Sequence, residues 1–455
     1  MSVNISVIKK AAVSFTGKAD HLKDLHVFTD SRKNTEQGLF VPIAGERFDG
    51  HQFLTKAIEA GAVATLWMKG KLLPEGVPAD FPIFYVEDTL DAMQTMAKLV
   101  LKERKPKVIA VTGSNGKTTT KDIIESVVST KYKTHKTIGN FNNHIGMPLT
   151  ILASPADCEA IILEMGMNHF GEISLLSRIA EPDIAVITNI GESHIEFLGS
   201  REGIAKAKME IVDGMKPGGM LIIDGDEPLL RSFHFDEIQK ATCGYGDDNG
   251  LKIGDVKAHI KGYTFTINGE DMIYHIPLLG RHNVKNAAYA LAVAKCMNID
   301  EQTAQKGFDQ LQVTGMRLET VKGRKDTMLI NDSYNASPTS MAAAIETIKA
   351  LPDYKRRVVV LGDMYELGPD EENLHRQVAQ VVTDPITDLI TIGPKAKWIA
   401  DEAGKNHSQL FSIHTFDEKI QAVPLIESLL GKETVILIKA SRAAQLESLV
   451  EQLEA

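Results

Sequence analysis

The chain has 455 residues, which exceeds one ordinary core, since domains run to roughly 100 to 200 residues, and so excludes a one-domain protein. Its 50 basic residues against 60 acidic ones leave a formal net charge of −10, which argues against nucleic acid as the main partner. No apolar run approaches the roughly 20 residues needed to cross a bilayer, so membrane insertion is not expected.

The opening twenty residues lack the basic, apolar and cleavage regions of a signal peptide, so a mature N-terminus is expected. Residues 28–53 are rich in Gly, Asp and Arg around a strand L-F-V-P-I, a binding-loop pattern. A helical period follows at 53–62, and strands are predicted at V-A-T-L-W-M and P-I-F-Y-V-E-D, closing a small α/β domain over residues 1–87. Residues 89–105 repeat apolar positions at helical spacing and run into Pro106, which predicts a linker helix into a second domain over 88–314. There, apolar strands at V-I-A-V-T, A-I-I-L-E-M-G, I-A-V-I-T-N-I and G-M-L-I-I-D-G alternate with helical stretches, the pattern of a mostly parallel sheet. Around residues 263–278 the period becomes two, with Tyr263, Phe265 and Ile267 on one face and Asn268-Gly269 as a hairpin turn, which predicts an antiparallel extension. After Gly315 the alternation resumes with strands at M-L-I-N-D-S-Y, R-V-V-V-L-G-D, L-I-T-I-G and T-V-I-L-I-K-A-S. Residues 315–455 are thus a third, Rossmann-like α/β domain in topology only, without the G-x-G-x-x-G fingerprint. Cys158, Cys243 and Cys296 are isolated and odd in number, which suits a reducing cytoplasm.

The strongest chemical signal is V-I-A-V-T-G-S-N-G-K-T-T-T-K-D-I-I. A strand runs into glycines that let backbone amides turn around phosphate, Lys117 supplies a point charge, and Thr118 can set its hydroxyl on magnesium at a helix start. The loop is a variant, because Val111 stands where the standard pattern has its first glycine. A bound nucleotide calls for magnesium, and Glu164 and His194 lie at the carboxyl ends of neighbouring strands, where such folds bind ligands. Taken alone, the carboxylate could be merely solvated and the imidazole structural.

The ordered set T-G-S-N-G-K-T-T (112–119), T-x-G-N-F-N-N-x-I-G-x-P (137–148), E-M-G (164–166), N-I-G-x-x-H (189–194), G-R-H-N (280–283), M-R-L-E (316–319), N-D-S-Y-N-A-S-P (331–338) and L-G-D-M-x-E-L-G (361–368) resembles the Mur ligases across nearly the whole chain. The last two motifs are most similar to the branch that joins D-alanyl-D-alanine to UDP-N-acetylmuramoyl-tripeptide. That resemblance implies a UDP-substrate-binding first domain, a central P-loop ATPase-like domain, and ATP-driven amide-bond formation through an acyl phosphate. Gly113, Ser114, Asn115, Gly116, Lys117, Thr118 and Thr119 would then hold ATP. It further implies that Lys208 carries a carbamate that binds magnesium, with Lys206 as the fallback; an unmodified lysine there would otherwise be a solvated helical residue. Asn283 and Asn286 would meet adenine or ribose, or else cap a helix. Arg317, Asp332 and Tyr334 would close over ATP, the arginine meeting phosphate. Asp30, Ser31, Arg32 and the loop from Ala44 to His51, Gly45 included, look like uridine and pyrophosphate contacts. Thr137, Asn140, Asn142 and Asn143 suit the muramoyl sugar or its phosphates, though asparagine clusters also make turns. The family's final Gly-Ser-Arg reads Ala440-Ser441-Arg442 here, which puts the geometry of that loop in question. A cytoplasmic monomer is expected. The rival expectations are another ligase of the superfamily, either an earlier muramoyl-peptide ligase or a folylpolyglutamate synthase, and a nucleotide switch that makes no bond.

Overall fold

The computed structural model describes residues 2–45, 48–259, 261–407 and 412–455. Its contacts gather into two compact units, one of residues 1–112, 131–185 and 210–220, the other of 113–130, 186–209 and 221–455. A six-stranded sheet belongs to each.

In the first unit the six-stranded sheet is ordered Val3–Asn4, Asp24–Phe28, Gly38–Phe40, Ala62–Met68, Ile83–Val86 and Ser14–Thr16. The inner pairs are parallel and both edge strands antiparallel. Phe28, Phe40, Leu54, Trp67 and Phe81 form a core on one face. The predicted linker helix is present as Thr89–Arg104. Asp88 caps it, accepting from the amides of Leu90 (2.8 Å) and Asp91 (3.0 Å). Met93, Met96, Ala97 and Val100 form its buried stripe, at the i, i+3, i+4, i+7 spacing that one helix face requires. It ends at Lys105 in the left-handed conformation, just before Pro106, which cannot continue it. Beyond it, the strand Lys107–Thr112 pairs parallel with Ala160–Glu164, which pairs parallel with Thr134–Lys136. Val108 through Val111 are all buried, as a strand covered on both faces demands.

In the second unit, Leu251–His259, Gly262–Ile267 and Tyr274–Ile276 form the expected antiparallel extension, with Tyr263, Phe265 and Ile267 buried. Asn268 and Gly269 do have positive φ (55° and 71°), but they are no two-residue hairpin: the connection runs from 268 to 273. Asn268 instead ties back to the strand before, its Oδ1 accepting from the Lys252 amide at 2.8 Å. The C-terminal sheet is ordered Glu319–Lys322, Met328–Asn331, Thr434–Lys439, Arg356–Gly362, Asp388–Ile392 and Ser412–Phe416, parallel but for its first pair. Ile330, Val359, Leu361, Leu389 and Leu437 feed one core and Leu329, Val358, Val360, Ile390 and Ile438 the other. The alternation explains why these strands read as unbroken apolar runs. Ala440 is buried and is not among the residues with positive φ, so the alanine fits its strand end without left-handed strain. Among the described residues no helix is long and apolar enough to cross a membrane.

Candidate functional site

Gly113 turns the chain with φ of +149°, and a Cβ there would stand 1.9 Å from Thr188 Oγ1, so this position admits only glycine without rearrangement. Gly116, with φ of +77°, is the N-cap of the helix Lys117–Val128. The loop between them is pinned by residues 188 and 189. The Ser114 and Asn115 amides donate to Asn189 O and Oδ1, both at 3.0 Å. Asn115 O accepts from Thr188 Oγ1 (2.6 Å) and Asn189 Nδ2 (2.9 Å). Ser114 Oγ and Asn115 Nδ2 are left buried without a hydrogen-bond partner. Such groups cost about 1–3 kcal/mol each unless a ligand satisfies them, and beside a helix N-terminus an anion is that ligand. Lys117 Nζ curls over the loop, donating to Gly113 O at 2.9 Å, while Thr118 is buried and Thr119 half-buried.

Around this loop the second unit gathers most of the remaining nucleotide residues expected from sequence. Arg317 Nη2 donates to Thr118 Oγ1 at 3.2 Å and its guanidinium lies 4.0 Å from the Tyr334 ring centroid, a stacked geometry that fixes a flexible side chain. Its Nε is buried without a partner. Asp332 pairs with the buried Lys439 at 2.6 Å and accepts from the Leu318 amide at 3.2 Å, so it braces the segment carrying Arg317. Asn283 and Asn286 are both buried; Asn286 Nδ2 donates to Asn283 Oδ1 at 2.8 Å, and a Cβ on Gly116 would come 3.3 Å from the Asn286 amide. Asn283 also donates to Leu279 O at 2.7 Å; both asparagines lie inside the helix His282–Cys296, whose N-cap is Arg281, so neither is its cap.

Lys208 is 2 % exposed whereas Lys206 is exposed, so burial separates the two lysines that sequence left as alternatives. No carboxylate pairs with Lys208 among the described residues. Burial, and then the Lys117 ammonium, push its amine well below the usual lysine range. His194 holds a left-handed backbone (φ 65°), and its Nδ1 lies 2.7 Å from Glu366 Oε2, an ion-pair distance without the alignment of a regular hydrogen bond. The ring in turn holds the Glu366 carboxyl below its ordinary value.

The first unit carries the other expected residues. Glu164 is 2 % exposed; its Oε1 accepts from Asn142 Nδ2 at 2.9 Å and its Oε2 is buried without a partner. A buried carboxylate oxygen left in that state fits a hard cation such as magnesium. Thr137 is fully buried and its hydroxyl accepts from the Glu164 amide at 3.0 Å, which ties it to the strand end that carries the carboxylate. Asn143 Oδ1 accepts from the amides of Ile145 (3.1 Å) and Gly146 (2.8 Å), which is the turn alternative, while Asn140 stays exposed. Arg32 is held by Asp30 through Nε (2.8 Å) and Nη2 (2.9 Å), and that bond first holds the Asp30 carboxyl at about 2. Ser31 is half-buried beside them. Gly45 N donates to Phe48 O at 2.8 Å, but Glu46 and Arg47, within the loop expected to contact uridine diphosphate, lie outside the described residues. Among the described residues no three His, Cys, Asp or Glu side chains gather as a ready-made metal cluster, so a cation here would need hydroxyl, carbamate, phosphate or water oxygens as well.

Sequence reasoning gave no role to several residues that shape this region. Thr188 and Asn189 build the loop; Ser337, which caps the helix Pro338–Lys349, donates to Asn115 Oδ1 at 3.3 Å; Thr339 donates to Glu192 at 2.6 Å; and Glu366 meets His194. Asn189 and Ser337 lie within motifs quoted above, and that position was the available signal.

Three family models match in chain order: Mur ligase family, catalytic domain, over residues 26–100; Mur ligase middle domain over 111–294; and Mur ligase, glutamate ligase domain, over 316–442. The chain is 48% identical over 428 residues to the UDP-N-acetylmuramoyl-tripeptide–D-alanyl-D-alanine ligase of Bacillus subtilis (strain 168), covering 94% of this chain and 92% of that protein. It superposes on crystal structure I of MurF from Acinetobacter baumannii with a TM-score of 0.87 at 27% identity, covering 100% and 99% of the two chains. For MurF ligase from Thermotoga maritima in complex with ADP, the TM-score is 0.81 at 27% identity, with 94% and 96% covered.

Proposed function

The chain belongs to the Mur ligase family, and from that premise we propose that it joins D-alanyl-D-alanine to UDP-N-acetylmuramoyl-tripeptide in an ATP-driven reaction. It is an ATP-dependent ligase with the three-domain α/β architecture of that family. The domain boundaries we assign are 1–87, 88–314 and 315–455. The observation that carries the nucleotide assignment is the loop 113–118, whose buried Ser114 Oγ and Asn115 Nδ2 lack partners beside Lys117 and within reach of the segment bearing Arg317.

In this reading, Gly113, Ser114, Asn115, Gly116, Lys117, Thr118 and Thr119 hold the phosphates of ATP, Asn286 and Asp332 the nucleoside side, and Arg317, braced by Tyr334, the terminal phosphate. The tripeptide's terminal carboxylate attacks the γ-phosphorus and ADP leaves. The dipeptide amine then attacks the acyl carbon, loses a proton, and inorganic phosphate departs. Both steps build negative charge, which Lys117 and Arg317 offset without any protein nucleophile. Magnesium, when bound, neutralises phosphate charge; Thr118, Glu164, His194 and a carbamate on Lys208 would hold it. Glu164 Oε2 and the buried, uncompensated Lys208 amine are the features that suit that ion. Carbamylation turns a cation hostile to the metal into an oxygen ligand. Asn140, Asn142, Ser31, Arg32 and Gly45 are assigned to the UDP-linked substrate, and the enzyme is taken to act as a cytoplasmic monomer.

The other superfamily ligases and the nucleotide switch are not favoured, since the 48% relative is named for this reaction over nearly the whole chain. Phosphate release is the test: ATP and magnesium are supplied with UDP-muramoyl tripeptides ending in L-lysine or meso-diaminopimelate, and with D-alanyl-D-alanine or glutamate as amine. Release that requires a tripeptide and D-alanyl-D-alanine together is expected. Turnover with glutamate alone, or none with any pair, would overturn the assignment.

A further inference from the structure

The helix that follows the nucleotide loop carries a second pattern on the side facing residues 307–317. Thr118, Asp122 and Ser126 are spaced four apart, so they share one face of the helix Lys117–Val128 and climb it over about 12 Å. Thr118 and Asp122 are bonded to the connection that leads toward the C-terminal sheet, and Ser126 to Gly307 in the helix Glu301–Asp309 just before it. Thr118 Oγ1 accepts from Arg317 Nη2 at 3.2 Å. Asp122 Oδ2 accepts both the amide and the hydroxyl of Thr314, each at 2.8 Å. Ser126 Oγ donates to Gly307 O at 2.6 Å. At Gly307 a Cβ would sit 2.6 Å from Val127 Cα, so backbone and helix are in direct contact there. All three helix residues are buried, Asp122 to 1 % exposure, and Lys121 lies 3.3 Å from the Asp122 carboxylate.

We propose that Asp122 is a positioning residue: with Thr314 it forms the central tooth of a polar zipper that sets Arg317 in register over the nucleotide loop. The inference rests on the nucleotide role assigned to Arg317 above. A charged acceptor taking two short bonds from one residue is the strongest link of the three. It fixes the backbone three residues before Arg317, leaving little slack for the guanidinium to wander from the phosphate position. Ser126 and Gly307 set the angle from below, and the Tyr334 ring holds the side chain from its flat side. Binding a triphosphate at the start of this helix is thereby tied to the segment that opens the third domain, by side chains one and two turns further along.

The test uses Thr314→Val, which keeps size but removes one of the two bonds, and Thr314→Ser, which restores the hydroxyl. Each is made in the natural chain and in Arg317→Ala. Affinity for magnesium and a non-hydrolysable ATP analogue is measured by calorimetry, beside the melting temperature. In the natural background Thr314→Val should weaken analogue binding about 10-fold, the cost of losing a bond to a charged group, and Thr314→Ser should stay within about twofold. With Arg317→Ala, already weakened, Thr314→Val should change affinity by less than about twofold, since the zipper then has nothing to place. Equal losses in both backgrounds would mean that Thr314 acts only on stability and would overturn the proposal. So would natural affinity in Thr314→Val, or in Arg317→Ala. The readout needs neither acceptor nor amine, so a failure of the ligase assignment would appear in phosphate release and not here.

Discussion

Replacing Gly113 by alanine puts the nucleotide loop to a direct test. The new Cβ would stand 1.9 Å from Thr188 Oγ1 and 3.0 Å from Thr188 Cβ, and Thr188 is 1 % exposed, so it has no free volume to retreat into. Moving its hydroxyl breaks the 2.6 Å bond to Asn115 O that holds the loop closed. Overpacking of this kind costs about 1–3 kcal/mol, and the lost hydrogen bond about 0.5–1.5 kcal/mol. A loop that relaxes in the free enzyme must be driven back when nucleotide binds, so the cost appears as lost affinity. About 2 kcal/mol, the lower part of the range, corresponds to roughly 30-fold weaker ADP binding. Calorimetric titration with ADP measures it, with the melting temperature as control for global damage. Adding Thr188→Ala to Gly113→Ala removes the nearest clashing atom and should recover part of the affinity, whereas Thr188→Ala alone should cost no more than the hydrogen bond. ADP binding within about twofold of the natural chain for Gly113→Ala would refute the reasoning, because a strained loop could not then be the binding element.

Lys117→Ala should abolish phosphate release while leaving the melting temperature nearly unchanged, since the side chain is only partly buried and its bonds go to the loop it crowns; activity within about tenfold of the natural chain would remove the loop from the mechanism. Glu164→Ala and His194→Ala should each raise the magnesium concentration needed for half-maximal turnover, by roughly 10-fold or more if each is a ligand; an unchanged requirement in both would leave them structural. Lys208→Ala should be nearly inactive and partly restored by small carboxylates at high concentration, while Lys206→Ala stays active. Because burial lowers the Lys208 pKa, its neutral amine is present at lower pH than in an ordinary lysine, and it is lost as pH falls through that lowered value. Enzyme stripped of carbon dioxide should therefore regain activity when bicarbonate is added at neutral pH; no recovery on adding bicarbonate would count against a carbamate.

The sequence was most legible where burial on both faces left nothing else to write. Runs such as Val358–Leu361 and Val435–Ile438, short, β-branched and bounded by polar residues or glycine, are buried strands as their pattern suggested, and Gly-Lys-Thr after such a run does open a helix. Less legible were strands with one exposed side: Glu319–Lys322 and Ser412–Phe416 lie at sheet edges with mixed exposure, so they carry no apolar period. Within the site, residues that offer charge or hydroxyl at a strand end were found, whereas those acting through backbone groups were not. Asn189 closes the loop by accepting and donating main-chain bonds, and Thr314 acts partly through its own amide; neither leaves a mark in composition. Thr137 shows what residue type leaves out: its hydroxyl is buried and accepts from the Glu164 amide, a bond that composition does not announce.

The three cysteines also equip the molecule for fluorescence. Cys158 and Cys243 are buried, and burial raises both thiols, which slows alkylation, while Cys296 is exposed at the last position of the helix His282–Cys296. A maleimide dye would therefore settle on one site without mutagenesis, more readily above neutral pH because partial burial raises that thiol too. Asn286 lies ten positions earlier on the same helix, about 15 Å along its axis. A dye on Cys296 and an emitting nucleotide analogue near Asn286 would form a donor–acceptor pair fixed on one rigid rod, so energy transfer would count bound nucleotide directly in the unmodified chain.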